Sequence, residues 1–377
     1  MSFKNSNFKI CIVGLGYVGL PLLVELSKHF DVGGYDISEN RINELKNGFD
    51  RYNQIDKRKL SKKINFFSKP INLKDYNFLI VTVPTPVNKK NVPDLSFLKK
   101  SCIQIGKNLK SKSIIVFEST VYPGVTNEFC IPILKRESNL KYKRSFNVGY
   151  SPERISVGDN NNTLRNITKV ISGDSKIAKN KIYFVYSKII KKIFVAKSIE
   201  VAEFAKVLEN TQRDLNISLM NELSIICNKM AINSFDVINA AATKWNFIKY
   251  QPGLVGGHCI GVDPYYLSYK ARKIGYKPIV INASRFVNNE MSNFIYKEII
   301  KRIKVLKKNN KKLKILVLGL TFKENCKDLR NSKIFDKFYL DKGFKSVLQF
   351  MKKKSLLADL KSAFKDINDK NIKIFRL

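Results

Sequence analysis

The chain is poor in histidine, cysteine and acidic residues, and it lacks any long apolar run. Its 377 residues include two histidines and six cysteines. So few cysteines cannot staple a fold of this size, and a reducing, cytoplasmic setting is expected. One of the histidines is adjacent to Cys259, and with only two in the chain no metal-ligand set assembles. No uninterrupted apolar stretch approaches the ~18 residues that a membrane-spanning helix needs, so no membrane insertion is expected. The uncharged stretch from Ile10 to Val24 follows Lys4 and Lys9 and has the outline of a secretory leader. It contains Gly14, Gly16, Gly19 and Pro21, runs into Glu25 and offers no small-residue cleavage site, so it reads as part of the fold.

Acidic residues number 31 against 69 Lys and Arg, a net charge of +38. Such a balance suits nucleic acid or an anionic membrane surface. The lysines are spread along the chain, however, and the densest clusters, 307–314 and 352–354, have no interleaved aromatics on which bases could stack. They read as solvated surface, and no nucleic acid is expected as a partner. What the chain does have is a 44% hydrophobic composition, ample for a packed core. At roughly 150 residues per domain its length suggests two or three domains.

Short apolar runs at 8–13, 31–35, 78–83, 114–118, 146–150 and 169–171 read as buried strands, with helical or polar stretches between them. That alternation predicts an α/β fold with a parallel, doubly wound sheet. From about Ser198 to Ile232 there is neither Gly nor Pro and the apolar spacing is helical. A helix of that length often joins domains and supplies a dimer contact. A loop at 251–264, a helix from Ser284 to Lys304, and a strand at 314–318 opening a second α/β unit complete the reading. The expected domains are 1–197, 198–305 and 306–377.

Three constellations carry chemistry. Gly14, Gly16 and Gly19, with Tyr17 and Val18 between them, follow the first strand and open a helix, and Asp36 ends the next strand. A tight turn, close backbone approach and a helix N-terminus suit the pyrophosphate of a dinucleotide, as in a Rossmann-type domain. A carboxylate at Asp36 can accept from a ribose diol and repels a 2′-phosphate, which favours NAD over NADP, although Arg41 could instead meet a phosphate. The second is Val-Gly-Gly-His-Cys-Ile-Gly-Val-Asp at 255–263, where Cys259 is flanked by glycines and followed by Asp263. Such a cysteine suits nucleophilic work, against the blander reading of a small hydrophobe that covers the other five. The third is Lys206, Asn210 and Arg213, spaced to share one helix face. The flanking Phe204, Ala205, Val207 and Leu208 suggest burial, where a lysine needs an anionic partner such as a developing alkoxide.

Taken together, these motifs resemble the UDP-glucose/GDP-mannose dehydrogenases. The residues that carry the resemblance are the Cys259 segment, Ala-Glu-Phe-Ala-Lys-Val-Leu-Glu-Asn at 202–210, Glu-Ser-Thr-Val-Tyr-Pro-Gly at 118–124 and Ser-Pro-Glu-Arg-Ile at 151–155. Pro-Glu-Arg-Ile and the segment 252–266 are most similar to the branch acting on UDP-N-acetylhexosamines, which supplies uronic acids for surface polysaccharides. The resemblance implies two hydride transfers to NAD, with the substrate held as a thiohemiacetal and then a thioester on Cys259. It implies oxyanion stabilisation by Lys206 and Asn210, proton movement through Asp263, and thioester hydrolysis involving Glu153 and Thr120. Thr85 and Thr120 match positions near the cofactor. Arg154, Ile155, Lys206, Asn210, Arg213 and Gly256 match sugar-nucleotide contacts, joined by Lys323 and Arg330 from the C-terminal domain. Val157 stands where the UDP-glucose branch has a second glutamate. A homodimer through the central helix is expected.

The resemblance fails after Ile334. Residues 337–357 match nothing in the family pattern, which resumes at Ala358, and Lys327 replaces a usual proline. The expectation is a C-terminal UDP-binding domain shortened by an internal deletion, less stable and weaker in holding UDP. A relative that binds NAD or the sugar nucleotide without turnover is the alternative that this departure raises.

Overall fold

The computed structural model describes residues 3–60, 64–154, 164–257, 260–306, 355–360 and 372–376. They divide into two compact units, one of Met1–Leu208 with Tyr265–Lys270 and one of Glu209–Pro264 with Ala271–Leu377.

The first unit is built on β1 (Lys9–Val13), α1 (Gly19–Leu26), β2 (Asp31–Tyr35), α2 (Glu39–Lys46), β3 (Asn65–Phe67), β4 (Phe78–Val81), α3 (Ser96–Lys107) and β5 (Ser113–Phe117). It continues through α4 (Ile131–Ser138), β6 (Phe146–Tyr150), β7 (Thr168–Gly173), α5 (Lys176–Ser187) and β8 (Lys192–Val195). The eight strands form one sheet in the order β3-β2-β1-β4-β5-β6-β7-β8. All neighbours are parallel except β6 and β7, which run antiparallel. A strand covered on both faces buries consecutive side chains, and every residue of β4 and β5 is buried. Leu20, Leu23 and Leu26 of α1 join Ile182 and Val185 of α5 in one cluster with Ile10, Ile12, Ile80 and Val116 of the sheet. Each such side chain contributes ~1.5–3 kcal/mol on burial. Strand order reverses beside β1, with β2 on one side and β4 on the other. In doubly wound sheets a ligand crevice opens at the carboxyl ends of the strands at such a reversal.

Helix α6 (Ile199–Met230, 32 residues) begins in the first unit and continues into the second. The second unit adds α7 (Ser234–Ala241), α9 (Ile279–Leu306) and the parallel pair β9 (Ser355–Asp359) and β10 (Ile372–Arg376), while α8 (Asp263–Lys273) is shared between the units. Its polar spine is Asp214 of α6, which accepts from Ser284 (3.0 Å), Arg285 (2.6 Å) and Asn288 (2.7 Å) of α9. Phe375 of β10 packs with Phe235, Met291 and Ile295, and the Arg302 guanidinium lies 4.2 Å from its ring centroid.

The strands expected from the apolar runs are present to within two residues at each end. In the first unit two were not anticipated: β3, three residues long, and β8, whose side chains are largely exposed. The antiparallel β7 also departs from the all-parallel expectation. Helix α9 starts at Ile279, five residues before the expected Ser284. The expected strand at 314–318 lies outside the described residues. Among the described residues no helix is long and apolar enough to cross a membrane.

Candidate active site

The glycine loop follows β1 at the reversal of strand order. Gly14 has φ +99°, a conformation that L side chains rarely adopt, and a Cβ on Gly19 would lie 1.9 Å from the Gly14 carbonyl oxygen. At Gly16, by contrast, nothing lies within 4 Å of where a Cβ would be, so the backbone there is open to close approach. Asp36 follows β2 directly and its carboxylate accepts from the backbone N–H of Leu15 (2.9 Å) and Ser38 (2.9 Å), which fixes it beside the loop. A rigid carboxylate next to an open glycine turn fits the ribose and pyrophosphate of a dinucleotide.

Arg41 is buried and committed to protein partners. Its Nε donates to the Leu15 carbonyl (2.9 Å) and its Nη2 to Asp50 (2.8 Å), and the guanidinium lies 4.8 Å from the Tyr52 ring centroid. The sequence left open that this arginine meets a phosphate. Buried against Asp50, it acts as a strut under the loop. Tyr17 of the loop packs on the same Tyr52, ring centroids 4.3 Å apart.

The edges of β4 and β5 are cross-tied. Thr82 Oγ1 donates to the Gly14 carbonyl (2.7 Å), Ser119 Oγ to Val83 O (2.6 Å) and Thr85 Oγ1 to Thr120 O (2.6 Å). The Tyr266 hydroxyl donates to Thr85 O. Beyond Thr120 the chain turns at Gly124, where the buried Glu203 of α6 accepts from Gly124 N (2.6 Å), Thr126 N (2.9 Å) and Thr126 Oγ1 (2.6 Å). Burial pushes the Glu203 carboxyl up to about 7, opposed by those three donors. One turn on, Lys206 is buried and its Nζ donates to the backbone carbonyl of Glu153, which is itself buried. Arg154 N donates to Glu153 Oε1 (2.6 Å), and Arg154 Nη1 to Thr168 O (3.0 Å).

Burial of Lys206 was expected from its neighbours, but Phe204 and Leu208 are 43% and 51% exposed. The inward stripe of α6 is Glu203, Lys206, Val207 and Asn210, at helical spacing, and the flanking apolar residues lie on another face.

In the second unit, Asn210 Nδ2 donates to Asp263 Oδ2 (2.6 Å), and both side chains are buried. Asn221 is a paired clamp on the loop that leads to Cys259: its Nδ2 donates to Gly253 O (3.0 Å) and its Oδ1 accepts from Gly253 N (2.7 Å). Gly256 is half-buried, and Arg213, sharing the expected helix face, is exposed. Ile155, Cys259, Lys323 and Arg330 lie outside the described residues. Thr82, Glu203 and Asn221 were missed in the sequence because each acts on backbone, and a side chain holding a distant main-chain group leaves no spacing pattern.

The family model for the NAD binding domain of the UDP-glucose/GDP-mannose dehydrogenases matches residues 8–190, and the model for that family's central domain matches residues 200–290. The chain belongs to the UDP-glucose/GDP-mannose dehydrogenase family. It is 49% identical over 337 residues to the UDP-N-acetyl-D-glucosamine 6-dehydrogenase of Salmonella typhi, covering 89% of this chain and 79% of that protein. It is 49% identical over 330 residues to protein CapL of Staphylococcus aureus, covering 87% and 78%. Among solved structures, the UDP-N-acetyl-mannosamine dehydrogenase Cap5O from S. aureus is similar with a TM-score of 0.82 at 27% identity, covering 98% of each chain. Membership of this dehydrogenase family makes the glycine loop part of a nicotinamide dinucleotide domain, and Gly16 and Asp36 fit that group.

Proposed function

We propose that this family member oxidises the C6 alcohol of a UDP-N-acetylhexosamine, UDP-GlcNAc or UDP-GalNAc, to the uronic acid with NAD as acceptor, for surface polysaccharide synthesis. The observation that carries the reading is the 49% identity to the S. typhi UDP-N-acetyl-D-glucosamine 6-dehydrogenase across most of both chains. Bound NAD supplies the hydride acceptor, and because alcohol to acid is a four-electron change, two are consumed per sugar.

The chain's own residues do the rest. Lys206, a buried ammonium, stabilises the negative oxygen that develops at C6, with Asn210 as a second donor. Asp263, oriented by the Asn210 amide, moves the alcohol proton by way of water. The Cys259 thiolate adds to the aldehyde carbon to give a thiohemiacetal, and loss of the second hydride leaves a thioester. Water then attacks the thioester near Thr120, Glu153 takes its proton, and the thiolate departs. Arg154, Ile155, Arg213, Gly256, Lys323 and Arg330 hold the sugar nucleotide; Gly14, Gly16, Tyr17, Val18, Gly19, Asp36, Thr85 and Thr120 hold the dinucleotide, with Arg41 acting through Leu15. Incubation with NAD and each UDP-sugar, followed by mass spectrometry, tests this: the acetamido uronate is expected, and an unchanged sugar in every case contradicts it.

The same reading makes the protein a homodimer through α6, whose Val201, Phe204, Leu208, Leu219, Ile226 and Met230 are each more than 40% exposed in the single chain. Light scattering should then return twice the chain mass of 43.3 kDa.

A further inference from the structure

A buried charge array adjoins Glu153 that the mechanism above does not use. Lys169 of β7 is fully buried, with Nζ 2.8 Å from Glu118 Oε2 and 3.6 Å from Glu153 Oε2. Glu118, at the end of β5, is buried as well, and its other oxygen accepts from the Tyr186 hydroxyl of α5. The Lys169 ammonium also lies 5.4 Å from the Tyr186 ring centroid. The groups facing this array are Glu118 after β5, Glu153 and Arg154 after β6, Lys169 on β7, Tyr186 on α5 and Lys206 on α6.

One ammonium is shared between two carboxylates in a water-excluded place. As a device for stability this is poor, since a buried ion pair rarely outperforms apolar packing. As a device for holding and releasing a proton it is well suited, because interacting groups at this distance titrate as a unit. Burial and the neighbouring Glu153 push the Glu118 carboxyl up to about 7, against the pull of Lys169. Lys169 is raised by the two carboxylates in spite of burial.

We propose that Lys169 and Glu118 are positioning residues for Glu153: the ammonium holds its carboxylate where it takes the proton of the hydrolytic water, and Glu118, competing for the same ammonium, sets how readily that proton is accepted. In that step the water oxygen bonds to the thioester carbon, the carbon–sulfur bond breaks to leave the Cys259 thiolate, and one water proton passes to Glu153. The acid product loses its own proton to solvent. The inference rests on the proposed role of Glu153 in hydrolysis.

The test uses the full chain with NAD and UDP-GlcNAc, following NADH by stopped flow and the acyl-enzyme by quenched mass spectrometry, across a pH series. Wild type should turn over, and Glu153→Gln should accumulate acyl-enzyme on Cys259. Lys169→Met should give a burst of two NADH per site followed by turnover at least ~10-fold slower, the scale of general-base effects. Its pH–rate limb should move to higher pH, because two carboxylates without a cation hold a proton more tightly. Glu118→Gln should move the limb to lower pH. A purely structural role predicts slower rates without opposite displacements, and limbs that stay put or move together overturn the proposal. If Lys169→Met does not fold, the near-isosteric Glu118→Gln decides by the direction of its shift. In the apoprotein that variant should also reduce the fall in melting temperature as pH rises from 4.5 towards about 7, leaving the part due to Glu203, and a fall as steep as in wild type counts against the array. Failure of wild type to form NADH, or of Glu153→Gln to trap acyl-enzyme, brings down the underlying reading and this proposal together. Turnover and trapping with unmoved limbs bring down the proposal alone.

Discussion

Two buried clusters in the first unit are made of similar parts and behave differently. Around Arg41 stand Asp50 and Glu44; around Lys169 stand Glu118 and Glu153. In the first, Asp50 also accepts from the backbone N–H of Tyr52 (3.2 Å), Gln54 (2.8 Å) and Ile55 (3.2 Å), and Glu44 accepts from Nε and Nη2 of Arg51. Each carboxylate there has several donors, and Glu44 is held below the ordinary carboxylate range by Arg51. In the second, Glu118 is met by one lysine and one tyrosine, and burial wins, raising it to about 7. Burial separates the two: the Glu44 side chain keeps a quarter of its surface exposed, whereas Glu118 is fully buried, and the buried Glu203 is raised to about 7 as well in spite of three donors.

The largest expected effect breaks the strut. Arg41→Met leaves Asp50 buried without its cation and releases the Leu15 carbonyl, so it should cost ~3–5 kcal/mol in denaturant unfolding. The loss should be the same across about pH 6–8, and NAD affinity by titration should fall with it. Next comes the titrating cluster. A carboxyl raised from 4.5 to about 7 on folding binds its proton more tightly in the folded state. Its stabilising contribution is therefore complete below the unfolded value and is lost as pH rises through the folded one. Glu118→Gln should remove a pH-dependent loss of roughly 3 kcal/mol over that window, read from melting curves at each pH. Glu203, raised to about 7 by burial, should leave a residual slope of the same sign.

Smaller effects come from the neutral ties. Asn221→Ala removes both bonds to Gly253 and one to Asn288 (2.8 Å), and should cost ~1–3 kcal/mol. It should lower kcat more than NAD affinity, because the clamp holds the loop leading to Cys259. Thr82→Val keeps the shape but loses the bond to Gly14 O, for ~1 kcal/mol of stability and a weaker grip on NAD with UDP-sugar affinity unchanged.

The nucleotide half was legible because its chemistry is written in backbone: Gly14 must take positive φ and Gly19 must be bare, and only glycine does both cheaply. Asp36 follows from strand length. The charge array was not legible. Lys169 opens a run read as a buried strand without a partner for its charge, and its partners lie 51 and 16 residues away in sequence, after strands whose adjacency only the sheet order supplies. Glu118 was noticed as part of a motif, but its burial depends on Tyr186 from α5. The short β3 escaped because three residues carry too little pattern to count. In the C-terminal part, where the family pattern was expected to resume at Ala358, the described residues place β9 paired with β10, and Phe375 packs with Met291 and Ile295 of α9.

The central claim is a complete oxidation from alcohol to acid on this chain. The measurement that tests it most directly is the number of NADH formed per UDP-GlcNAc consumed by purified protein, with UDP-GalNAc and UDP-glucose in parallel and Cys259→Ala as control. The account predicts two NADH per acetamido sugar and none from the Cys259→Ala variant. A folded protein that binds NAD and forms no NADH with any of the sugars would contradict it, and would make this chain a binding relative without turnover.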